Sequence, residues 1–165
     1  MLFRSNGTRA TAVAVYTANA MTNDQLVKST VEINDSTTNG PALSDSDYFG
    51  YSVADIGDLD NDGVNDLAVV APYDDAGGNA RGAVHILFMN SDGSVDSTAE
   101  INHNTSNAPV LGDGDFFGWS VAGIDDMNGD GIEDIAVGAP GWDTDEFNTG
   151  AVFILYLNTS GGVKS

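Results

Sequence analysis

Short apolar runs alternate along this chain with polar segments rich in Gly, Asn and Asp. In the first half, the runs predict β-strands over residues 49–56, 66–71 and 82–89, and a short fourth strand over about 98–101. Helical periodicity is almost absent, and turn residues follow each run. The pattern predicts an all-β fold built from four-stranded antiparallel sheets.

The whole pattern occurs twice. Residues 49–53 (FGYSV) recur 68 positions later as residues 117–121 (FGWSV), and no gap is needed to align the two copies from residue 29 to residue 165. A fixed period of this length is typical of supersecondary units that pack against their neighbours. We therefore predict β-propeller blades. A β-sandwich or a solenoid of stacked sheets is the alternative.

The repeat divides the chain into three parts. Residues 1–34 correspond to the end of a preceding blade, residues 35–102 to a first blade, and residues 103–165 to a second blade without its fourth strand. This division predicts an unpaired strand at one end and a vacant strand position at the other, and such edges pair readily. We expect either a segment of a longer propeller or copies that associate head to tail and complete one.

An acidic nine-residue stretch follows the first predicted strand of each repeat. Oxygen-bearing side chains occupy its positions 1, 3, 5 and 9, and Gly63 or Gly131 follows position 5. These side chains are Asp58, Asp60, Asp62 and Asp66 in the first stretch, and Asp126, Asn128, Asp130 and Asp134 in the second. Calcium takes 6–8 oxygen ligands, and alternate positions of a tight loop can converge on one ion. The sequence therefore predicts two Ca²⁺ sites.

The stretch is not an EF-hand. That motif needs a Glu at position 12 between two helices, whereas Val69 and Val137 stand there, inside apolar runs of β type. The first stretch has four carboxylates and the second has three plus Asn128, so we expect weaker binding at the second. Extracellular calcium modules have dissociation constants of about 10⁻⁴–10⁻³ M, and we expect that range here.

Composition excludes several classes of function. The chain has 165 residues, 25 of them acidic and 5 basic, and its net charge of −20 argues against binding to nucleic acid or anionic membranes. No stretch approaches the roughly 20 apolar residues of a membrane span, so we predict no membrane insertion. Cysteine is absent, which excludes disulfides and thiolate metal sites. Because no catalytic constellation stands out, we predict that the chain is not an enzyme.

Four aromatic residues and two histidines are further candidates. An aromatic surface for a sugar or a protein is one interpretation of Tyr51, Trp119, Tyr73 and Trp142, and packing between blades is the other. His85 lies in a predicted strand and His103 in a loop, and for both we expect a structural role.

Two motifs around each acidic stretch resemble FG-GAP repeats. In the second repeat these are Phe117-Gly118 and residues 138–140 (GAP); the first repeat has Phe49-Gly50, and Val70 replaces Gly in the later motif. FG-GAP repeats form the N-terminal β-propeller of integrin α-subunits and occur in many bacterial extracellular proteins. The resemblance implies that the acidic stretch joins the first two strands of a blade and holds calcium, with the backbone carbonyls of Val64 and Ile132 as further ligands.

The resemblance also implies a non-catalytic role in adhesion or extracellular recognition, outside the cell or at its surface. A protein or a glycan is the expected ligand. Its contacts are expected in the loops over residues 73–80 and 141–148, which differ most between the repeats. The alternatives are an accessory propeller of a secreted enzyme that degrades polysaccharides or lipids, and a purely structural repeat of a large surface or virion protein.

Overall fold

The computed structural model describes residues 29–143 and 149–165, and residues 31–165 form one compact unit. The described residues contain β-strands and no helix, so none could span a bilayer as a helix. The strands are β1 (Val53–Asp55), β2 (Leu67–Ala71), β3 (Ala83–Met89), β4 (Val95–Ile101), β5 (Ser120–Gly123), β6 (Ile135–Ala139) and β7 (Ala151–Leu155). The predicted all-β class is confirmed.

Each repeat forms its own antiparallel sheet, with strand order β1-β2-β3-β4 in the first and β5-β6-β7 in the second. Corresponding residues have the same register: Val69 pairs with His85 in the first sheet, and Val137 pairs with Phe153 in the second. A β-bridge between Leu157 and Val163 follows β7. These sheets are those expected of FG-GAP propeller blades, and the described residues do not form a closed propeller.

Two predicted strand boundaries are wrong. The first strand begins at Val53 and not at Phe49, because Tyr48 and Gly50 both have positive φ angles and form a turn. The fourth strand begins at Val95, earlier than predicted, because the chain returns to β3 immediately after a short turn. Of the predicted partial blade over residues 1–34, residues 1–28 lie outside the described ranges, and both boundaries between the three parts remain predictions.

One hydrophobic core joins the two sheets. Alternate residues of β3, such as Val84 and Ile86, point from the first sheet toward the second, where Phe117, Val137 and Leu155 belong to the same cluster. All five side chains are buried. The repeats therefore pack face to face, as blades of a propeller do.

Close backbone contact at Gly82 also joins the repeats. The Phe117 N–H donates to the Arg81 carbonyl at 2.9 Å, and the Phe116 N–H donates to the Ala80 carbonyl at 3.2 Å. A Cβ at Gly82 would clash with the carbonyl oxygen of Phe117, and the φ of Gly82 is +85°. Only glycine satisfies both constraints.

Candidate metal centre

The first acidic loop connects β1 to β2 and has a closed base. The Ile56 N–H donates to the Asp66 carbonyl at 3.1 Å, and the Asp66 N–H donates to the Gly57 carbonyl at 2.6 Å. The side chains of Ile56 and Leu59 are buried in the shared core. The residues between these anchors therefore emerge from a fixed support.

Three carboxylates of this loop converge. Carboxylate oxygens of Asp58, Asp60 and Asp66 all lie within 4.8 Å of one another. Oxygens bound to one calcium ion each lie 2.3–2.6 Å from it, so two of them can be up to about 5 Å apart. Hard oxygen donors at this spacing fit calcium.

Asp66 has a second role that the sequence analysis missed. Its carboxylate is buried and accepts hydrogen bonds from the Leu59 N–H at 2.9 Å and from the Met89 N–H at 3.0 Å. Burial raises the pKa of Asp66, while the two N–H donors oppose that shift. Asp66 thus ties the loop to the end of β3. The sequence did contain a signal for this role, because a carboxylate stands directly before an apolar run that becomes a buried strand.

Asp58 and Asp62 shape the outer part of the loop. Asp58 accepts hydrogen bonds from the Asp62 N–H and the Gly63 N–H, both at 2.9 Å, and the φ of Gly63 is +94°. Asp62 is outside the converging group of three and accepts the Val64 N–H at 2.8 Å. The proposed roles of the Asp62 side chain and the Val64 carbonyl as calcium ligands remain predictions.

The second acidic loop, between β5 and β6, repeats this scaffold. Buried Asp134 accepts the Met127 N–H at 3.0 Å and the Leu157 N–H at 3.1 Å, as Asp66 does with the corresponding residues. Asp126 accepts the Gly131 N–H at 2.7 Å, and this donor is the main cause of the lowered pKa of Asp126. The position 9 carboxylate is a structural tether in both repeats.

The two loops differ at their acidic centres. Among the described residues, Asp126, Asp130 and Asp134 form no converging group like that of the first loop. The Lys164 ammonium group lies against the Asp130 carboxylate and holds the pKa of Asp130 below its usual value. Asp130 also accepts the Ile132 N–H at 3.0 Å, and the Ile132 carbonyl remains a predicted ligand. The sequence analysis missed Lys164, because an ion pair across 34 residues has no local signal.

Three of the four candidate aromatic residues share one surface. Ring centroids of Tyr51 and Trp119 lie 4.9 Å apart, and those of Tyr73 and Trp119 lie 6.3 Å apart. Trp142 lies elsewhere: its ring packs edge-on against Phe153 at 5.7 Å, beside the shared core. His85 is buried in β3 as expected, and His103 accepts the Leu111 N–H in a loop.

Comparison with known families agrees with this geometry. A model described as "FG-GAP repeat" matches residues 49–87 and 117–155, which contain both acidic loops, five whole strands and most of β3. The chain carries two FG-GAP repeats. Each acidic loop joins the first two strands of its sheet, as the resemblance implied.

Similar proteins include several integrin α chains. Identity is 42% over 97 residues with integrin alpha pat-2 of Caenorhabditis briggsae, covering 55% of this chain and 7% of that protein. With integrin alpha-5 of Xenopus laevis it is 45% over 100 residues, covering 58% and 9%. With integrin alpha-3 of Mus musculus it is 39% over 118 residues, covering 70% and 10%. The chain thus spans a tenth or less of the length of these relatives.

Proposed function

We propose that this chain is a calcium-binding FG-GAP β-propeller segment with a non-catalytic role in adhesion or extracellular recognition. The observation that carries the calcium assignment is the convergence of Asp58, Asp60 and Asp66 on a closed loop base. The integrin α relatives support the adhesion role and a position outside the cell or at its surface.

Calcium would be held at two sites of unequal strength. Asp58, Asp60 and Asp66 supply the first, with Asp62 beside them. The second uses Asp126, Asn128, Asp130 and Asp134, and the Lys164 ammonium group competes with the ion for Asp130. Bound calcium neutralises the carboxylates and stabilises each loop against their repulsion. The protein positions these groups through backbone N–H donors and the buried position 9 carboxylate.

Recognition is expected on loops that the sheets hold in place. The exposed rings of Tyr48, Tyr51 and Trp119 give one surface an apolar character, which is suited to a protein or glycan ligand. The loop over residues 73–80 lies in the described part of the chain, whereas residues 144–148 of its counterpart lie outside it. The ligand class remains a proposal.

Calorimetric titration of the chelated protein tests the metal assignment. We expect two sites with dissociation constants in the range of about 10⁻⁴–10⁻³ M. Asp60→Asn should weaken one site, and Asp143→Asn should weaken neither, because Asp143 is an exposed carboxylate in the loop after β6, at the opposite end of that strand from the second acidic loop. No heat at millimolar calcium would contradict the assignment.

A separate experiment tests the recognition role. The immobilised chain is exposed to a glycan array and to purified extracellular matrix proteins, with calcium or with chelator. Binding that requires calcium is expected. Binding of equal strength in chelator would contradict a role that depends on the calcium-held loops, and it would leave the titration result unaffected.

A further inference from the structure

The outer face of the second sheet exposes side chains that are buried in the first. On β7 and just after it, Val152, Ile154 and Tyr156 are 70%, 42% and 41% exposed. The corresponding residues of the first repeat are 0%, 0% and 5% exposed: Val84, Ile86 and Phe88. The first face is covered by the second repeat, and no described residue covers the second face in the same way.

A groove of about 380 Å³ opens on this exposed face, lined by residues that include Trp119, Gly138, Gly150 and Val152. Residues 68 positions earlier form the corresponding surface of the first sheet, and another segment of the same chain covers that surface. A Cβ at Gly118 would lie 2.7 Å from the Ala83 carbonyl oxygen and 3.1 Å from the Val70 Cβ. The first sheet therefore receives the segment over residues 116–121.

The corresponding segment of the first repeat, residues 48–53, has the same conformation, but no described atom approaches its Gly50 as Ala83 and Val70 approach Gly118. The φ of Gly50 is +86° and that of Gly118 is +87°, and both N–H groups donate at 3.0 Å to the next strand, to Val70 and Gly138 respectively. Among the described residues, no atom outside the immediate chain neighbours lies within 4 Å of a Cβ built at Gly50. Tyr51, next to it, is exposed.

A second hollow of about 380 Å³ lies beside residues 48–53, lined by residues that include Ile33, Ser44, Asp47 and Phe49. The corresponding surface of the second repeat is covered by the loop before β3. There the Gly114 N–H donates to the Asn79 carbonyl at 2.9 Å, and the Phe116 N–H donates to the Ala80 carbonyl. The two open surfaces are thus the two halves of one contact that the chain makes internally.

We propose that the groove of the second sheet binds residues 48–53 of a second copy of this chain. This contact between copies would have the same geometry as the contact between the first sheet and residues 116–121 within a single chain. The contact is heterologous, because each copy offers the groove at one end and the segment at the other. Repeated addition leads to a closed ring or to an open filament, depending on the angle between copies.

The net charge of each copy affects the strength of this contact. Each copy has a net charge of −20, so two copies repel each other at low ionic strength. The groove residues are uncharged and apolar apart from Ser120, so their burial does not depend on charge pairing. Association should therefore strengthen as salt rises from about 0.02 M to about 0.15 M, since screening removes the repulsion.

Sedimentation velocity on the full 165-residue chain, in calcium and over a concentration series, tests the proposal. The wild-type chain should form dimers and larger species. Val53 in the segment is exposed and corresponds to Val121, which packs against the shared core. Val152→Asp in the groove and Val53→Asp in the segment should each weaken association at least about tenfold, because an aspartate would be buried without a partner. Val110→Asp adds the same charge at an exposed site away from the groove and should leave association unchanged.

Mixing the two defective variants identifies the geometry. Val152→Asp retains a working segment and Val53→Asp retains a working groove, so an equimolar mixture should form a complex of two copies and nothing larger. Circular dichroism confirms that each variant is folded, and Ile154→Lys replaces Val152→Asp if that variant is not. A wild-type chain that stays monomeric up to millimolar concentration overturns the proposal and leaves a different FG-GAP repeat as the occupant. A mixture that forms no complex also overturns it.

Discussion

The Nε2 atom of His85 lies 4.0 Å from a carboxylate oxygen of Asp74 in the interior of the first repeat. Both residues are buried, and neither ring nitrogen of His85 has a hydrogen-bond partner among the described residues. In the second repeat, Phe153 and Trp142 occupy the corresponding positions and pack edge-on. One repeat thus buries a polar pair where the other packs two partly buried aromatic rings against each other.

His85→Phe should make the protein less sensitive to acid. Burial lowers the pKa of His85, and the nearby carboxylates of Glu100, Asp74 and Asp47 oppose that shift. Below about pH 6.5 the imidazole of the unfolded chain binds a proton more readily than the buried imidazole of the folded protein. The free energy of unfolding therefore falls as the pH falls below that value. Urea unfolding at pH 7.5 and pH 5.5, in saturating calcium, should show a smaller loss for the variant.

The second repeat supplies the reciprocal control. Phe153→His places an imidazole at the corresponding position, so it should add acid sensitivity to the wild-type protein. At pH 7.5, His85→Phe should also stabilise the fold by about 1 kcal/mol, because two unsatisfied polar atoms leave the interior. An equal dependence on pH in wild type and His85→Phe would show that another group controls acid stability.

Asp66→Ala should destabilise the protein even without calcium. The change leaves the buried Leu59 and Met89 N–H groups without their acceptor. Each lost partner costs about 1–3 kcal/mol, so we expect a total of about 3 kcal/mol in urea unfolding with chelator.

Asp60→Ala is the matched control for this experiment. Asp60 belongs to the same converging group but accepts only the exposed Asp62 N–H. In chelator it should change the free energy of unfolding by no more than about 0.5 kcal/mol, whereas in calcium both variants should lose stabilisation by the ion. Equal losses in chelator would mean that Asp66 is only a ligand.

Repetition explains why much of the fold was predictable. The two copies have the same spacing of strands, turns and acidic residues, so the sequence indicates each element twice. The fold class, the strand order in each sheet and the position of the acidic loops could therefore be predicted from repeated residues such as Phe49 and Phe117. The converging carboxylates of the first loop were also among the predicted ligands. The strand boundaries at Val53 and Val95 were not predictable, because turn geometry and pairing with β3 set them.

The unpredicted features all depend on contacts between distant residues. Asp66 meets the Met89 N–H only after β3 has paired with β2, and Lys164 meets Asp130 only after the chain turns back beyond β7. A comparison of the two repeats position by position contained one hint. Lys164 corresponds to Asp96, so only the second repeat has a cation at this position.

Lys164→Gln should strengthen calcium binding at the second loop. The Lys164 ammonium group lies on the Asp130 carboxylate, which calcium must share. Ion pairs near the surface are weak because solvent screens them, so affinity should rise by at most about fivefold in a calorimetric titration. Arg81→Gln removes the same charge from an ion pair with Asp113 outside the loops and should not change affinity. Equal effects of the two variants would indicate that the change in net charge alone, and not the ion pair with Asp130, sets the calcium affinity.

Gly82→Ala should weaken the contact between the repeats far more than Gly150→Ala. The two glycines correspond to each other and have φ angles of +85° and +74°, so both substitutions introduce backbone strain of about 1 kcal/mol. At Gly82 the new methyl group would also clash with the Phe117 carbonyl, whereas at Gly150 the closest atom is 3.3 Å away. We expect a loss of about 3 kcal/mol or more for Gly82→Ala in dilute urea unfolding. Equal losses would show that the backbone contact at Phe117 relaxes without penalty.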